Sequence, residues 1–405
     1  MKSIAILATL DTKGEEAKFL AEQLAHLGSR GVVVDMGVVG EAQAAADVSR
    51  EEVARAGGTE LATLLQDPSR ETAAPVMIAG ATALLAKRLA AGELHGVLGL
   101  GGFQGTAACS SVMQALPYGL PKVLVSTAAS GDTSSYVDIK DITMMFSVGD
   151  ILGLNPFTRR ILANAAGAAH GMALAETETE IQPGEKPLIG ISNLGVLTQG
   201  TMRAIELFKE RGYETIVFHA IGSGGRAMEQ MMKEGIIGAV FDYAMGEISD
   251  EVFGVLRAGG PERLTVAGKL GLPQVLCPGG AEHLGILVDA NVVPDEWKEH
   301  THVFHSPVVF VPRLRAEELA RVAADINARL AHTRGKAILM LPKDGTGSYA
   351  KPGGPLRDTE ADAAFFEALK AGLPAGIEVV ERDKDAEDPA FVEECVDRLI
   401  GLIEG

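Results

Sequence analysis

Four stretches of this chain carry residue types suited to holding a phosphate or another small anion. In Gly99-Leu-Gly-Gly-Phe-Gln-Gly-Thr106, Gly99, Gly101, Gly102 and Gly105 leave room for the backbone to approach a phosphate, and a helical pattern from Thr106 to Leu116 brings N–H groups to its start. The spacing departs from a dinucleotide fingerprint, because the third glycine would fall at Gln104 and stands one residue later. The same glycines would also serve a tight strand-to-helix turn that binds nothing. In Asp11-Thr12-Lys13, the lysine could reach a phosphate or a substrate carboxylate, or simply stand exposed near a helix start; there is no Walker pattern around it. Ser130-Gly131-Asp132-Thr133-Ser134 offers hydroxyls and a carboxylate that could hold Mg2+ through phosphate oxygens, with an Asx or ST turn as the alternative. In Gly222-Ser223-Gly224-Gly225-Arg226, the arginine could clamp an oxyanion bidentately, or be a solvated residue at a helix entry.

Histidine and cysteine add fewer options. His219 closes a strand just before the Gly222 loop, which makes it a catalytic candidate by position; such a residue also serves as a hydrogen-bonding strand terminus. His300, His302 and His305 form the one histidine cluster, without a helical spacing and without an acidic or thiol neighbour, so a metal site there is disfavoured. Cys277 precedes Pro278-Gly279-Gly280 and is read as a buried structural thiol rather than a nucleophile. No G-x-S-x-G elbow and no HExxH motif is present.

The elements that must position these residues follow from hydrophobic pattern. His95 to Leu100 and Lys122 to Ser126 read as buried strands that flank one helix, a βαβ unit. Its two polar loops both follow strand carboxyl ends, the edge where open α/β sheets bind ligands. The run Ser3 to Leu10 reads as a first strand, so Asp11-Thr12-Lys13 should share that edge. Asn155-Pro156 opens a long helix, with Asn155 at the N-cap. Periodicity is lost over Glu176–Lys186, and the same grammar then restarts, which predicts domains at 1–180 and 187–405. Helices are predicted at Ser249–Arg257 and Pro261–Leu270, and the 16-residue loop Lys343–Asp358 reads as functional or disordered. Strands and helices alternate throughout, so the expected fold is α/β, with two doubly wound, Rossmann-like domains and mostly parallel sheets.

Composition narrows the partners. The net charge of −18 argues against nucleic acid and against an anionic membrane surface, since both require clustered Lys and Arg. Apolar stretches such as Ile161–Ala175 are too short to span a bilayer, and Asp11 interrupts the apolar start, which disfavours a signal sequence. Three scattered cysteines, Cys109, Cys277 and Cys395, build neither a disulfide framework nor a thiolate metal site, which predicts a reducing, cytoplasmic setting.

The stretches TLDTKGEE (9–16), GLGGFQGT (99–106), 123–155, ILANAAGAAHGM (161–172), VFHAIGSGGRAME (217–229) and LPKDGTGSYAKPGGPLRD (341–358) resemble one bacterial and fungal family. It is the family related to the N-terminal ATP-binding domain of the tomato mosaic virus resistance protein. The resemblance implies two α/β subdomains, a homodimer and ATP binding. It implies Asp11, Thr12, Lys13, Gly101, Gly102, Thr106, Ser130, Gly131, Asp132 and Thr133 as the nucleotide edge, and Gly222, Gly224, Gly225 and Arg226 as a facing loop. Three functions fit. One is an ATP-dependent enzyme acting on a small anionic metabolite in an inter-domain cleft, with Lys13, His219 and Arg226 as candidate catalytic residues. The others are a non-catalytic ATP-binding regulatory dimer and a sugar-phosphate or sugar-acid enzyme that uses no nucleotide.

Overall fold

The computed structural model describes residues 1–175 and 186–405. The chain divides into two compact units, Met1–Thr179 and Glu180–Gly405. Of the segment read as the domain boundary, all but Lys186 lies outside the described residues.

In the first unit, β1 (Ser3–Ala8), β2 (Arg30–Asp35), β3 (Gly96–Gly101), β4 (Lys122–Ser126) and β5 (Thr143–Phe146) form one sheet in the order β2-β1-β3-β4-β5. Every pairing in it is parallel. Helices α1 (Leu10–Leu27), α2 (Arg50–Ala56), α3 (Leu61–Leu64), α4 (Arg70–Ala90), α5 (Phe103–Gln114), α6 (Ser134–Val137) and α7 (Pro156–Leu174) connect and cover it. Local signals set their ends. Gly28 terminates α1 in the left-handed region (φ 93), Ser49 and Glu52 form a capping box on α2, and Asn155 caps α7 through the amides of Phe157 and Thr158. The apolar sides of α1 and α7 cover one face of the sheet around Leu20, Leu98 and Leu162, while α2, α4 and α5 cover the other around Val53, Met77 and Val112. Helix α4 is the one described helix long and apolar enough by length and composition to cross a membrane. Its Ala73, Met77, Ala81 and Leu85 instead lie in this core.

The second unit repeats the plan with β6 (Ile189–Asn193), β7 (Thr215–His219), β8 (Ala239–Ala244) and β9 (Gln274–Gly279). Between them run α8 (Thr198–Glu210), α9 (Ser223–Lys233), α10 (Gly246–Phe253) and α11 (Val266–Leu270). A small antiparallel sheet follows, β10 (Ile286–Leu287), β11 (His302–Ser306) and β12 (Val309–Pro312), in the order β10-β12-β11. Then come α12 (Ala316–Leu330), β13 (Ala337–Pro342), α13 (Thr359–Gly372), β14 (Ile377–Arg382) and α14 (Pro389–Glu404). The main sheet runs β14-β13-β9-β8-β6-β7 and is parallel throughout. Two parallel doubly wound sheets are therefore present as expected. Strands β11 and β12 form an antiparallel hairpin whose register shifts between Phe304 and Ser306.

Two helix predictions in this unit need correction, and one buried charge cluster gives much of the reason. Helix α10 begins earlier and ends earlier than expected, stopped by Gly254 in the left-handed region (φ 66). Residues 261–265 are turn rather than helix. There Arg263 is fully buried, and its guanidinium meets Glu247 at 2.7 Å and Asp242 at 2.6 Å, with Glu229 at 3.4 Å. Glu229 also accepts the amides of Leu264 and Val266, which holds Leu264 at φ 68. Three carboxylates around one guanidinium leave excess negative charge in a dry site. Burial, reinforced by Asp242 and opposed by Arg263, pushes the Glu229 carboxyl up to about 7. Burial likewise pushes Asp362 up to about 6 against its partner Arg313.

In both groups the folded state binds the proton more tightly than the unfolded chain does. Their contribution is therefore fully present below the ordinary carboxylate range and is lost as the pH rises toward 7. The unfolding midpoint should fall between pH 5 and pH 7.5, and Glu229→Gln should flatten that slope. A slope unchanged in the variant, measured by thermal melts across the range, would remove Glu229 as its source.

Candidate functional site

Both main sheets place their first strand between the second and the third, so the chain winds one way and then the other. The crevice where this reversal occurs lies between β1 and β3 in the first unit and between β6 and β8 in the second, at the strands' carboxyl ends.

At the first-unit crevice, α1 already begins at Leu10, so Asp11, Thr12 and Lys13 occupy its first turn rather than a loop. Lys13 breaks the helical geometry (φ −127, ψ 20), and its side chain is buried rather than exposed. Its Nζ donates to the Ile151 carbonyl, and among the described residues no carboxylate pairs with it. Lys122, the most enclosed of the three buried lysines described in this unit (Lys13, Lys122 and Lys140), illustrates another solution. Its Nζ donates to the carbonyls of Pro117 (2.7 Å) and Leu120 (2.9 Å) and to Asp141 (2.8 Å). A cation in the first turn of a helix also opposes the helix dipole. Nearby, Glu16 accepts the Gly153 amide at 2.7 Å, so α1 holds residues 151–153 from two points. Asp11 lies against Gly40, and its carbonyl accepts from Gln43; the exposed Thr12 hydroxyl sits 3.0 Å from that of Thr9.

The glycines where β3 runs into α5 divide into two kinds. A Cβ at Gly99 would lie 2.8 Å from the Cys109 Cβ, and one at Gly101 would lie 2.6 Å from the Gly105 Cα. None of Gly99, Gly101, Gly102 and Gly105 has a positive φ. Three of them thus let α5 lie close on β3, as a tight strand-to-helix junction requires, without a left-handed backbone. Gly102 differs. It stands at the N-cap of α5 without a side-chain cap, and a Cβ there would meet only the Thr127 Oγ1, at 3.8 Å. Thr106 is fully buried, with its hydroxyl 2.7 Å from Ser126 Oγ and donating to the Gly101 carbonyl, so it ties β3 to β4. Ser130, Gly131, Asp132 and Thr133 form an exposed or half-exposed loop on the same edge. Asp132 accepts the Ser134 amide at 2.9 Å, an Asx turn that holds its carboxyl below the usual range. On this edge too, exposed Val148 sits at φ 64, a strained conformation for a β-branched residue.

In the second unit the glycine loop is used internally. The amides of Gly222 (2.6 Å) and Gly225 (3.0 Å) both donate to Glu247 Oε1, so a carboxylate of the protein occupies the place expected for an external oxyanion. A Cβ at Gly225 would overlap Glu247 Oε2 at 2.0 Å, and one at Gly224 would overlap the His219 carbonyl at 1.9 Å. Gly222, Gly224 and Gly225 therefore answer to packing and to Glu247, and the phosphate reading of this loop is corrected. Arg226 is half-buried on α9 with its stem near Gly260, and does not line the cavity described next.

His219 does line that cavity, a space of about 280 Å³ at the carboxyl edge of the second sheet. Val196, Ile221, Leu256, Val309 and Val311 contribute apolar walls. Arg257 and His283, both nearly fully buried, form the inner end, and exposed His219 and His305 the outer end. Arg257 is forked onto Asp250 (2.8 and 2.9 Å), and its Nη1 lies 3.4 Å from His283 Nε2. His283 Nδ1 lies 2.9 Å from Glu282, whose other oxygen accepts the Thr346 hydroxyl at 2.7 Å. Burial would raise the Glu282 carboxyl, but His283, Arg313 and Thr346 together hold it down at about 2. Tyr349 completes the lining, its hydroxyl 3.2 Å from His305 Nδ1. The Lys343–Asp358 loop supplies Thr346 and Tyr349 to this cavity and its surroundings.

Sequence reasoning reached His219 but missed Arg257, Glu282, His283 and Tyr349, which lie on three separate segments. The usable signal was an acidic residue next to a histidine directly after the Pro278-Gly279-Gly280 turn. The histidine cluster disperses, since His300 meets Glu318 at 3.0 Å and His302 meets the His300 carbonyl at 2.9 Å, whereas His305 faces Tyr349. Among the described residues no group of three His, Cys, Asp or Glu could hold a metal ion. Cys277 is buried, and burial pushes its thiol far up, as a structural cysteine requires.

Comparison with known proteins agrees with the two-part organisation. Residues 2–178 match the N-terminal domain, and residues 186–403 the C-terminal domain, of the Uncharacterised protein family (UPF0261). A UPF0261 protein of Clostridium tetani is 39% identical over 405 residues, covering 100% of this chain and 99% of that protein. A UPF0261 protein of Rhizobium meliloti is 36% identical over 91% of each chain. The ToMV resistance protein Tm-1(GCR237) of Solanum lycopersicum is 33% identical over 69% of this chain and 37% of its own length, which accords with the resemblance read from the motifs. A solved putative UDP-N-acetylglucosamine 2-epimerase from Listeria monocytogenes is similar at 12% identity and a TM-score of 0.23, over 68% of this chain and 79% of that one, too low to argue from. By the match of both halves, the chain belongs to the UPF0261 family.

Proposed function

We propose that the first unit binds the phosphates of ATP at the β1/β3 crevice, and that the protein serves a small anionic metabolite. The observation that carries this reading is Lys13. It is a buried ammonium in the first turn of a helix, with one carbonyl as its partner where Lys122 has three acceptors. Desolvating a charge without a counter-charge is costly, and a phosphate beside Lys13 would offset that cost. Gly102, uncapped at the start of α5, gives the same anion a second approach through backbone N–H groups. Asp132, exposed and held anionic, suits a Mg2+ that is otherwise held by phosphate oxygens, the common arrangement for this ion. Three buried thiols without disulfides fit a reducing cytoplasm. A homodimer, implied by the resemblance, completes the proposal and is read by sedimentation velocity across concentrations.

The test is a thermal-shift titration with ATP and Mg2+. Ligand at ~100 times its Kd adds about 2.7 kcal/mol to the stability of wild type. Lys13→Met should weaken binding at least about tenfold, the scale of one charged hydrogen bond. Gly102→Val should abolish the shift with little change in the ligand-free midpoint, since its side chain enters open space. Gly101→Val should instead lower the ligand-free stability by about 1–3 kcal/mol or more, because it forces α5 off β3. A wild type that ATP does not shift would sink the nucleotide reading.

A further inference from the structure

The cavity of the second unit has no part in the nucleotide reading, yet it gathers an arginine, three histidines and a tyrosine against apolar walls. We propose that it binds a small carboxylic acid with an apolar body, and that His283 is the general base acting on the bound acid.

Size and polarity select the ligand class. A space of about 280 Å³ suits a small molecule rather than a polymer. Val196, Ile221, Leu256, Val309 and Val311 favour an apolar body, and the one Arg257 nitrogen not committed to Asp250 offers a charged donor to a ligand carboxylate. Arg257 is suited to that anion. Two of its nitrogens are locked on Asp250, which fixes the plane of the guanidinium, while Nη1 makes only the 3.4 Å contact to His283 among the described residues.

Orientation selects the role of His283. Arginine nitrogens only donate, so His283 Nε2 faces Arg257 as an acceptor, and the ring hydrogen lies on Nδ1 toward Glu282. Glu282 is itself fixed by Thr346 and stays ionised, the arrangement in which a carboxylate orients an imidazole and stabilises its protonated form. A ligand carboxylate that takes up Arg257 Nη1 releases the Nε2 lone pair. For an acid with a C–H next to a ketone, that C–H bond breaks and its proton passes to Nε2. The electron pair moves into the neighbouring carbonyl to give an enolate. The reverse step returns a proton to carbon, so no further reactant is needed. His305 and Tyr349, 3.2 Å apart, stand at the outer end.

The experiment uses the full chain and two readouts. Saturation-transfer NMR tests acetate, 2-oxobutyrate, 2-oxoisovalerate and benzoate for binding. Proton NMR in D2O follows loss of the C–H signal beside the ketone of the two oxo acids. The expected result is that at least one acid with an apolar body binds more tightly than acetate, with C–H exchange faster than in protein-free buffer. His283→Gln should retain binding within a few-fold and lose exchange by about a hundredfold or more, the scale of general-base catalysis. Leu256→Trp, placed on an exposed wall residue, should fill the cavity and abolish both readouts while leaving the fold intact by circular dichroism. Binding and exchange unaffected by Leu256→Trp, no binding of any of the four acids, or exchange that survives His283→Gln would each overturn the proposal.

Discussion

Both sheets of this protein reverse their winding direction at the first strand, and the rest of the architecture follows from that reversal. A right-handed crossover puts its helix on one face when the chain moves one way along the sheet, and on the other face when it moves back. In the first unit this sends α1 and α7 to one side and α4 and α5 to the other. The loops after β1 and β3 thereby lead to helices on opposite faces of the sheet. Lys13 lies in the first turn of α1, which follows β1, and Gly102 at the start of α5, which follows β3. The second unit repeats the geometry, and its cavity lies on the corresponding edge of the sheet.

The chain is strongly acidic, and it spends much of its buried positive charge on holding its own carboxylates. Arg257 with Asp250, Arg263 with Asp242, Glu229 and Glu247, and Arg313 with Asp362 are all enclosed pairs or clusters in the second unit. Such arrangements stabilise modestly in net terms, since desolvation offsets much of the attraction, but removing one partner leaves a charge stranded. Their value here is positional. Arg263 draws Glu247 onto the amides of Gly222 and Gly225, and Asp250 sets the plane in which Arg257 can meet His283. Against this background Lys13, held by one carbonyl, is the exception, and that is why it carries the functional reading.

The glycine-rich loops illustrate how one composition serves different ends. After β3 the glycines admit a helix at close range and leave one position, Gly102, open to space. After β7 they admit a helix and an internal carboxylate together. The two loops read almost alike in one dimension. What separates them is Glu247, a residue 22 positions beyond Gly225 in the chain.

Periodicity and local punctuation determined by themselves the class of fold, most of the strands, the helix signals at Gly28, Ser49 and Asn155, and the strand carboxyl edge to which Asp11, Gly101 and Asp132 belong. These depend on short-range chemistry: alternation of apolar residues, caps, and the direction of parallel strands. Only the tertiary structure decided which side chains turn inward. It buried Lys13 against Ile151, brought Glu247 to the Gly222 loop, dispersed the three histidines, and assembled Arg257, Glu282, His283 and Tyr349 from separate segments around one cavity. Those partners lie up to 138 residues apart, and no local pattern records them, because burial and counter-charge are properties of the packed chain rather than of any stretch of it.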